Sequence, residues 1–197
     1  MKRFLRSRII SVLIPLLVVI LIPSILYPET FLGFQNVVDM LRSISYSVII
    51  ATGMTLVVIS GNLDLSVGST LTITGMITGY FLMNEMAVLP AILIGIAAAL
   101  LIGTLNGFMI VNLKINSLIA TLGTQYVCRG FVYVMSGGSS FYPFPETFTV
   151  FGKGTLWNIP YSVFFAAAIV IIAALVLSKT VFGRQVYAIG GLSLIHI

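Results

Sequence analysis

Charge is scarce in this chain of 197 residues: ten lysines and arginines and five aspartates and glutamates make up 8% of it. Soluble domains carry about 25%, so too few ionic groups are present to solvate a globular surface. Histidine is almost missing as well. The single one, His196, stands next to the last residue, which excludes a histidine-based catalytic triad and any multi-histidine metal site. No enzymatic activity and no cofactor are therefore expected. One cysteine, Cys128, lies inside an apolar run; an intrachain disulfide is impossible and a buried thiol is the expected state. The segment FGKGT at 151–155 looks like a phosphate-binding loop, but that motif needs glycine five residues before its GK pair and serine or threonine after it. Thr147 and Gly154 occupy those places.

Apolar residues fill the space that charge leaves. They make up 59% of the chain, and the mean hydropathy is +1.15. A helix advances about 1.5 Å per residue and needs roughly 20 apolar residues to cross the hydrocarbon core. Six segments qualify: 9–27, 43–60, 65–83, 88–111, 117–136 and 159–178. The first follows MKRFLRSR, a basic start like that of a secretory signal, yet it runs into YPET without a small-residue cleavage site. An uncleaved first span is expected. The fold class is all-α: a polytopic integral membrane helical bundle of about six transmembrane helices with a cytoplasmic amino terminus.

The net charge of +5 marks topology and not nucleic-acid binding. With the amino terminus in the cytoplasm and the sides alternating, Lys2, Arg3, Arg6, Arg8, Lys114, Lys179 and Arg184 fall inside, while Arg42 and Lys153 fall outside. This is the bias that orients membrane helices. Glu29, Asp39, Glu85 and Glu146 also fall outside, leaving Asp64 as the one inside carboxylate. Small residues recur at Gly95, Ala99, Gly103 and Gly107, and again at Gly75 and Gly79. Such residues let helices approach closely in lipid, so a compact bundle is expected.

Polar residues are few enough to be read individually. SGNLDLSVGS interrupts the apolar sequence between the second and third spans. Gly61 suits a left-handed helix end, and Asp64 or Ser66 suits capping of the next helix. The motif Gly61, Asn62, Asp64, Ser66 and Gly68 is thus a helix junction on the cytoplasmic side, and a candidate gating element. Asn106, Thr121, Thr124 and Gln125 lie within spans, where they serve either a solute pathway or helix packing. Arg129, about 18 Å into its span by helical rise, lines a pathway, pairs across the bundle or snorkels to the outer interface. Asp64 and Glu85 stand at span ends and do not form the midplane carboxylate of an ion-coupled carrier. The outer segment, with Phe141, Tyr142, Phe144, Phe148, Phe151 and Trp157, is expected to form an interfacial aromatic layer; a gate or docking surface is the alternative.

Three stretches occur in an order and spacing that resemble the permease subunits of bacterial ABC importers for monosaccharides of the ribose, xylose, galactose and arabinose type. They are SGNLDLSVGS, NGFMIVNLKINSLIATLGTQYVCRGFVYVMSGG and FGRQVYAIGG. The resemblance implies a subunit of the bacterial cytoplasmic (inner) membrane that pairs with a second permease subunit. It implies cytoplasmic ATPase subunits and an extracytoplasmic sugar-binding protein as partners. It also implies that Phe182, Gly183, Arg184, Tyr187, Gly190 and Gly191 approach the coupling loop that meets the ATPase. The chain departs from the family pattern after AIGG, where LSLIHI follows. Residues 1–191 are read as the amino-terminal part of one permease domain, and 192–197 as a sequencing-adapter tail on a truncated reading frame. A non-transporting membrane scaffold, and an uncoupled carrier or channel, are the competing functional readings.

Overall fold

The computed structural model describes residues 8–193. Lys2, Arg3, Arg6 and His196 lie outside the described residues, as does 194–197 of the expected tail. The described chain is α1 (Arg8–Leu26), α2 (Pro28–Phe31), α3 (Phe34–Ile59), α4 (Val67–Met83), α5 (Val88–Val111), α6 (Ser117–Ser136), α7 (Glu146–Lys153), α8 (Tyr161–Lys179) and α9 (Val181–Ser193). Between α7 and α8 stands one small antiparallel ladder, β1 (Thr155–Leu156) on β2 (Ile159–Pro160). The protein is an all-α membrane helical bundle. By length and composition α3, α5 and α8 can cross a membrane, and Leu13–Leu26 and Val67–Met83 are shorter apolar helices. The fifth expected span, α6, has the length but carries Thr121, Thr124, Gln125 and Arg129 along it.

Hydropathy located the spans but not the full helices. α3 begins at Phe34 and not at Ser43, because its first turns are polar and bond internally. Gln35 Nε2 donates to Asp39 at 3.3 Å, and Arg42 Nη1 pairs with Asp39 Oδ1 at 2.6 Å. Pairs three and four residues apart stabilise a helix outside the hydrocarbon zone. The segment after Thr180 is likewise a helix, α9, where an approach to a loop was expected.

Burial is inverted relative to a soluble protein. Large apolar side chains such as Leu21, Leu89, Leu100, Val127 and Ile171 are exposed, while the buried set is mostly small or polar, with Ala91, Ala120, Ala166, Ser66, Ser69, Thr78, Asn106 and Thr121 beside a few larger apolar residues such as Ile73 and Leu82. Lipid is as apolar as leucine, so no hydrophobic gain draws leucines inward; close packing and interhelical hydrogen bonds do the holding. The tight helix pairs are α4 with α5 and α6, α3 with α8, and α9 on α8 and α3.

The small-residue stripe expected on α5 is corrected. A Cβ on Gly95 would meet Thr78 Oγ1, and Thr74 O at 3.0 Å, so α4 and α5 touch there. Gly103, Gly107 and Gly75, by contrast, have nothing within 4 Å of such a Cβ. At about 100° per residue, a four-residue step drifts by about 40°, so three such steps leave the interface. The buried positions Ala91, Gly95 and Asn106 follow the true helical face. Replacing Gly95 with leucine is therefore expected to cost about 1–3 kcal/mol through overpacking. Gly103→Leu should change thermal stability in mild detergent by less than about 0.5 kcal/mol.

Candidate functional site

Where α3 gives way to α4, the junction is built by backbone chemistry. Gly61 has φ +82°, a conformation open to glycine without steric penalty. Its N–H bonds to Val58 O at 3.0 Å, and the Asn62 N–H bonds to Val57 O at 3.2 Å. These two bonds form a Schellman closure, which satisfies the last carbonyls of α3.

The expected cap at the start of α4 is realised in a particular way. Ser66 occupies the N-cap position, but its side chain does not cap the helix. Asp64 Oδ1 instead accepts from the Ser66 N–H at 2.7 Å and from Ser66 Oγ at 2.6 Å. Ser66 Oγ in turn accepts from Asn106 Nδ2 at 2.9 Å, and Asn106 Oδ1 accepts from Thr124 Oγ1 at 2.5 Å. Each donor points toward the next acceptor, so the line Thr124, Asn106, Ser66, Asp64 is polarised throughout and ends on a carboxylate. Such chains strengthen one another in a low-dielectric interior. Ser66 and Asn106 are buried, and Asp64 and Thr124 are partly so.

A second strand of the same knot runs through the backbone. The Leu65 N–H donates to Thr121 Oγ1 at 3.1 Å, while the Thr121 hydroxyl donates to Ser117 O at 2.7 Å. With the Gln125 amide oriented as its neighbours require, Nε2 donates to Leu65 O at 2.9 Å and Oε1 accepts from Arg129 Nη2 at 3.2 Å. Arg129 thus reaches back one turn toward the start of α6, the direction in which helical side chains lean, and pairs at that position instead of extending to the outer interface.

The junction residues and the five polar span residues, which the sequence left as two groups, therefore meet. Asp64, Ser66, Asn106, Thr121, Thr124, Gln125 and Arg129 form one network across α4, α5 and α6. Three of the junction residues stand apart from it. Gly61 serves the helix end, Gly68 is exposed with nothing within 4 Å of a Cβ there, and the Asn62 side chain makes only 3.4 Å contacts to Ser60.

The coupling-approach residues lie at the same end of the bundle. A Cβ on Gly190 would meet Ile59 O, and one on Gly183 would meet the Leu177 backbone. With buried Val186, these glycines form the face of α9 that rests on α3 and α8. Phe182, Arg184, Tyr187 and Gly191 are exposed. Lys114, Lys179 and Arg184 share this end with Asp64, whereas the opposite end holds Arg42, joined to Lys153 O at 3.2 Å. Among the described residues, no group of three histidine, cysteine or acidic side chains is placed to hold a metal.

The opposite end departs from a uniform aromatic layer. Phe141 and Phe144 are half-buried against Gly79 of α4, and Phe144 meets Phe148 edge-on with ring centroids 5.6 Å apart. Tyr142 and Trp157 are exposed. Trp157 and Asn158 both have positive φ, as the favoured two-residue hairpin turn requires; of the pair, only Asn158 signalled such a turn.

This architecture is that of a polytopic membrane protein with a hydrogen-bonded polar network at one end of the bundle. Residues 36–192 match the family described as branched-chain amino acid transport system / permease component, and the chain belongs to it. It is 32% identical over 182 residues to the ribose import permease protein of Haemophilus influenzae, an alignment covering 90% of this chain and 56% of that protein. Similarity to the L-arabinose transport system permease protein of Escherichia coli is 35% over 173 residues, covering 88% and 53%. The Bacillus subtilis ribose import permease protein is 34% identical over 178 residues, covering 89% and 55%. The chain spans about half the length of these curated relatives. No solved structure matches.

The network makes a graded expectation. Asn106→Ala removes the link between Ser66 and Thr124, leaving Ser66 only Asp64 and Thr124 only its own helix at Ala120 O, and should destabilise the bundle by about 1–3 kcal/mol. Thr104→Ala removes only an exposed hydroxyl bonded to its own helix at Leu100 O and should stay within about 0.5 kcal/mol. Thermal unfolding of both variants in the same detergent makes the comparison.

Proposed function

We propose that the chain is part of the transmembrane permease subunit of an ATP-driven importer that carries a monosaccharide across a bacterial cytoplasmic membrane by alternating access. The observation that carries this reading is the donor line from Thr124 to Asp64. It joins three helices at the end of the bundle where α9 also rests on α3. ATPase subunits bind this end from the cytoplasm, contacting the exposed face of α9 around Phe182, Arg184 and Tyr187. A sugar-binding protein delivers to the opposite end, and a second permease subunit completes the pathway. The ribose and L-arabinose named for the relatives support a pentose as substrate class.

Alternating access needs a rigid part and a hinge. The network holds α4, α5 and α6 together, and α3, α8 and α9 form the second packed set. The sets are joined through 60–66, where Gly61 supplies the turn. Rocking of one set against the other, with Asp64 at the boundary, converts movement at the ATPase side into opening of the pathway.

Uptake of labelled ribose and arabinose by the full-length permease, co-produced with its ATPase and binding protein, tests the reading. Accumulation that requires ATP hydrolysis is expected; equal equilibration without the ATPase would instead identify an uncoupled carrier. The gating role is tested by Asp64→Asn, which keeps the Oδ1 acceptor for Ser66 but removes the charge. Uptake should fall about tenfold, the equivalent of about 1.4 kcal/mol in the barrier, with membrane abundance unchanged. A loss of abundance in step with uptake would restrict Asp64 to shaping the turn.

A further inference from the structure

At the end of the bundle opposite the network, α3, α7 and α8 line an open cavity of about 570 Å³. Two buried polar side-chain atoms in its lining have no partner. Arg42 is held in place by Asp39 through Nη1, at 2.6 Å, and by Lys153 O through Nη2, at 3.2 Å, which leaves its buried Nε without a partner. Ser162 lines the same cavity at 5% exposure, and its Oγ also has no partner. A buried donor left unsatisfied costs about 1–3 kcal/mol, so two at one cavity call for an acceptor.

Three further features give that acceptor a sign. Ser162 is in the first turn of α8, which starts behind Pro160 with no side-chain cap, and a helix amino terminus presents N–H groups and partial positive charge. Lys153 lines the cavity and makes no ion pair among the described residues. The one carboxylate on Arg42 is Asp39, and no carboxylate lines this cavity; Glu146, at the far end of α7, lines the adjoining one, which Lys153 also borders. The remaining wall is apolar and aromatic, with Ile49, Phe148 and Phe165. Trp157, exposed on the neighbouring hairpin, suits headgroup depth.

We propose that this cavity binds a phosphate oxyanion, and that the apolar wall fits it to the headgroup of an anionic phospholipid. The phosphate accepts from Arg42 Nε, Ser162 Oγ and Lys153 Nζ at the start of α8, and the acyl chains leave along Ile49 and Phe165. Bound there, the lipid ties α7 to the α3 and α8 pair. The site does not depend on what the chain transports.

The test uses the full-length permease in its complex, in neutral maltoside micelles, with native mass spectrometry as the readout. Dioleoylphosphatidylglycerol is the probe, and dioleoylglycerol, which lacks the phosphate, is the control. The wild type should retain the first and not the second. Lys153→Gln and Ser162→Ala should each weaken retention about tenfold, with melting temperature in lipid-free micelles checked to confirm folding; Arg42→Gln is kept as a third variant because Arg42 also braces Lys153 O. Competition by inorganic phosphate, lost in the same variants, would assign the site to free phosphate while upholding the oxyanion chemistry. Retention of phosphatidylglycerol by folded variants at the wild-type level would overturn the proposal.

Discussion

The polarised line of hydrogen bonds from Thr124 through Asn106 and Ser66 to Asp64 is the interaction on which the rest of the bundle depends. In lipid the large apolar side chains gain little by turning inward, and here most of them face outward. Helix association rests instead on backbones that approach closely and on polar groups that find one another. The four members come from three parts of the chain, the start of α4, α5 and α6, so forming the line fixes the depth of α5 and α6 relative to the start of α4. The second strand, through Leu65 to Thr121 and Gln125, fixes their rotation as well.

Satisfying polar groups at one end has consequences for the whole. The carbonyls that end α3 are closed by the turn at Gly61, and the side chain of Asp64 is taken up by the Ser66 N–H and hydroxyl. The network makes α4, α5 and α6 one body, while glycines on α9 let it rest against the backbone of α3. In the mechanism we propose, two bodies meeting at a polar turn transmit force, because rigid units move together only when their internal contacts outlast those between them. The opposite end is organised differently. There α7, the small hairpin and the aromatic side chains cover the ends of α4 and α8, leaving the open cavity beside Arg42.

Much of this was legible before any coordinates. Six apolar segments became helices, because hydropathy records the solvent that each segment prefers. The polar residues that mattered were also visible, since Asn106, Thr121, Thr124, Gln125 and Arg129 stood out against an apolar background. What hydropathy could not report was helix outside the hydrocarbon, as at the start of α3 and in α7 and α9, where internal pairs and packing decide. The glycine stripe misled for a geometric reason: a four-residue repeat drifts around a helix of 3.6 residues per turn, so spacing named Gly103 and Gly107 although Asn106 faces inward.

By itself, then, the sequence determined the class of solvent, the number of apolar helices and the small set of polar side chains available to hold them together, because these follow from composition and from periodicity within one helix. The tertiary structure decided which of those side chains meet. Asn106 lies between Ser66 and Thr124 only because Gly95 lets α5 close on α4, and no local pattern carries a contact between residues forty positions apart. The same reason separates the two readings of SGNLDLSVGS: its turn is written in its own glycine and aspartate, but its place at the centre of a network was set by the helices that packed around it.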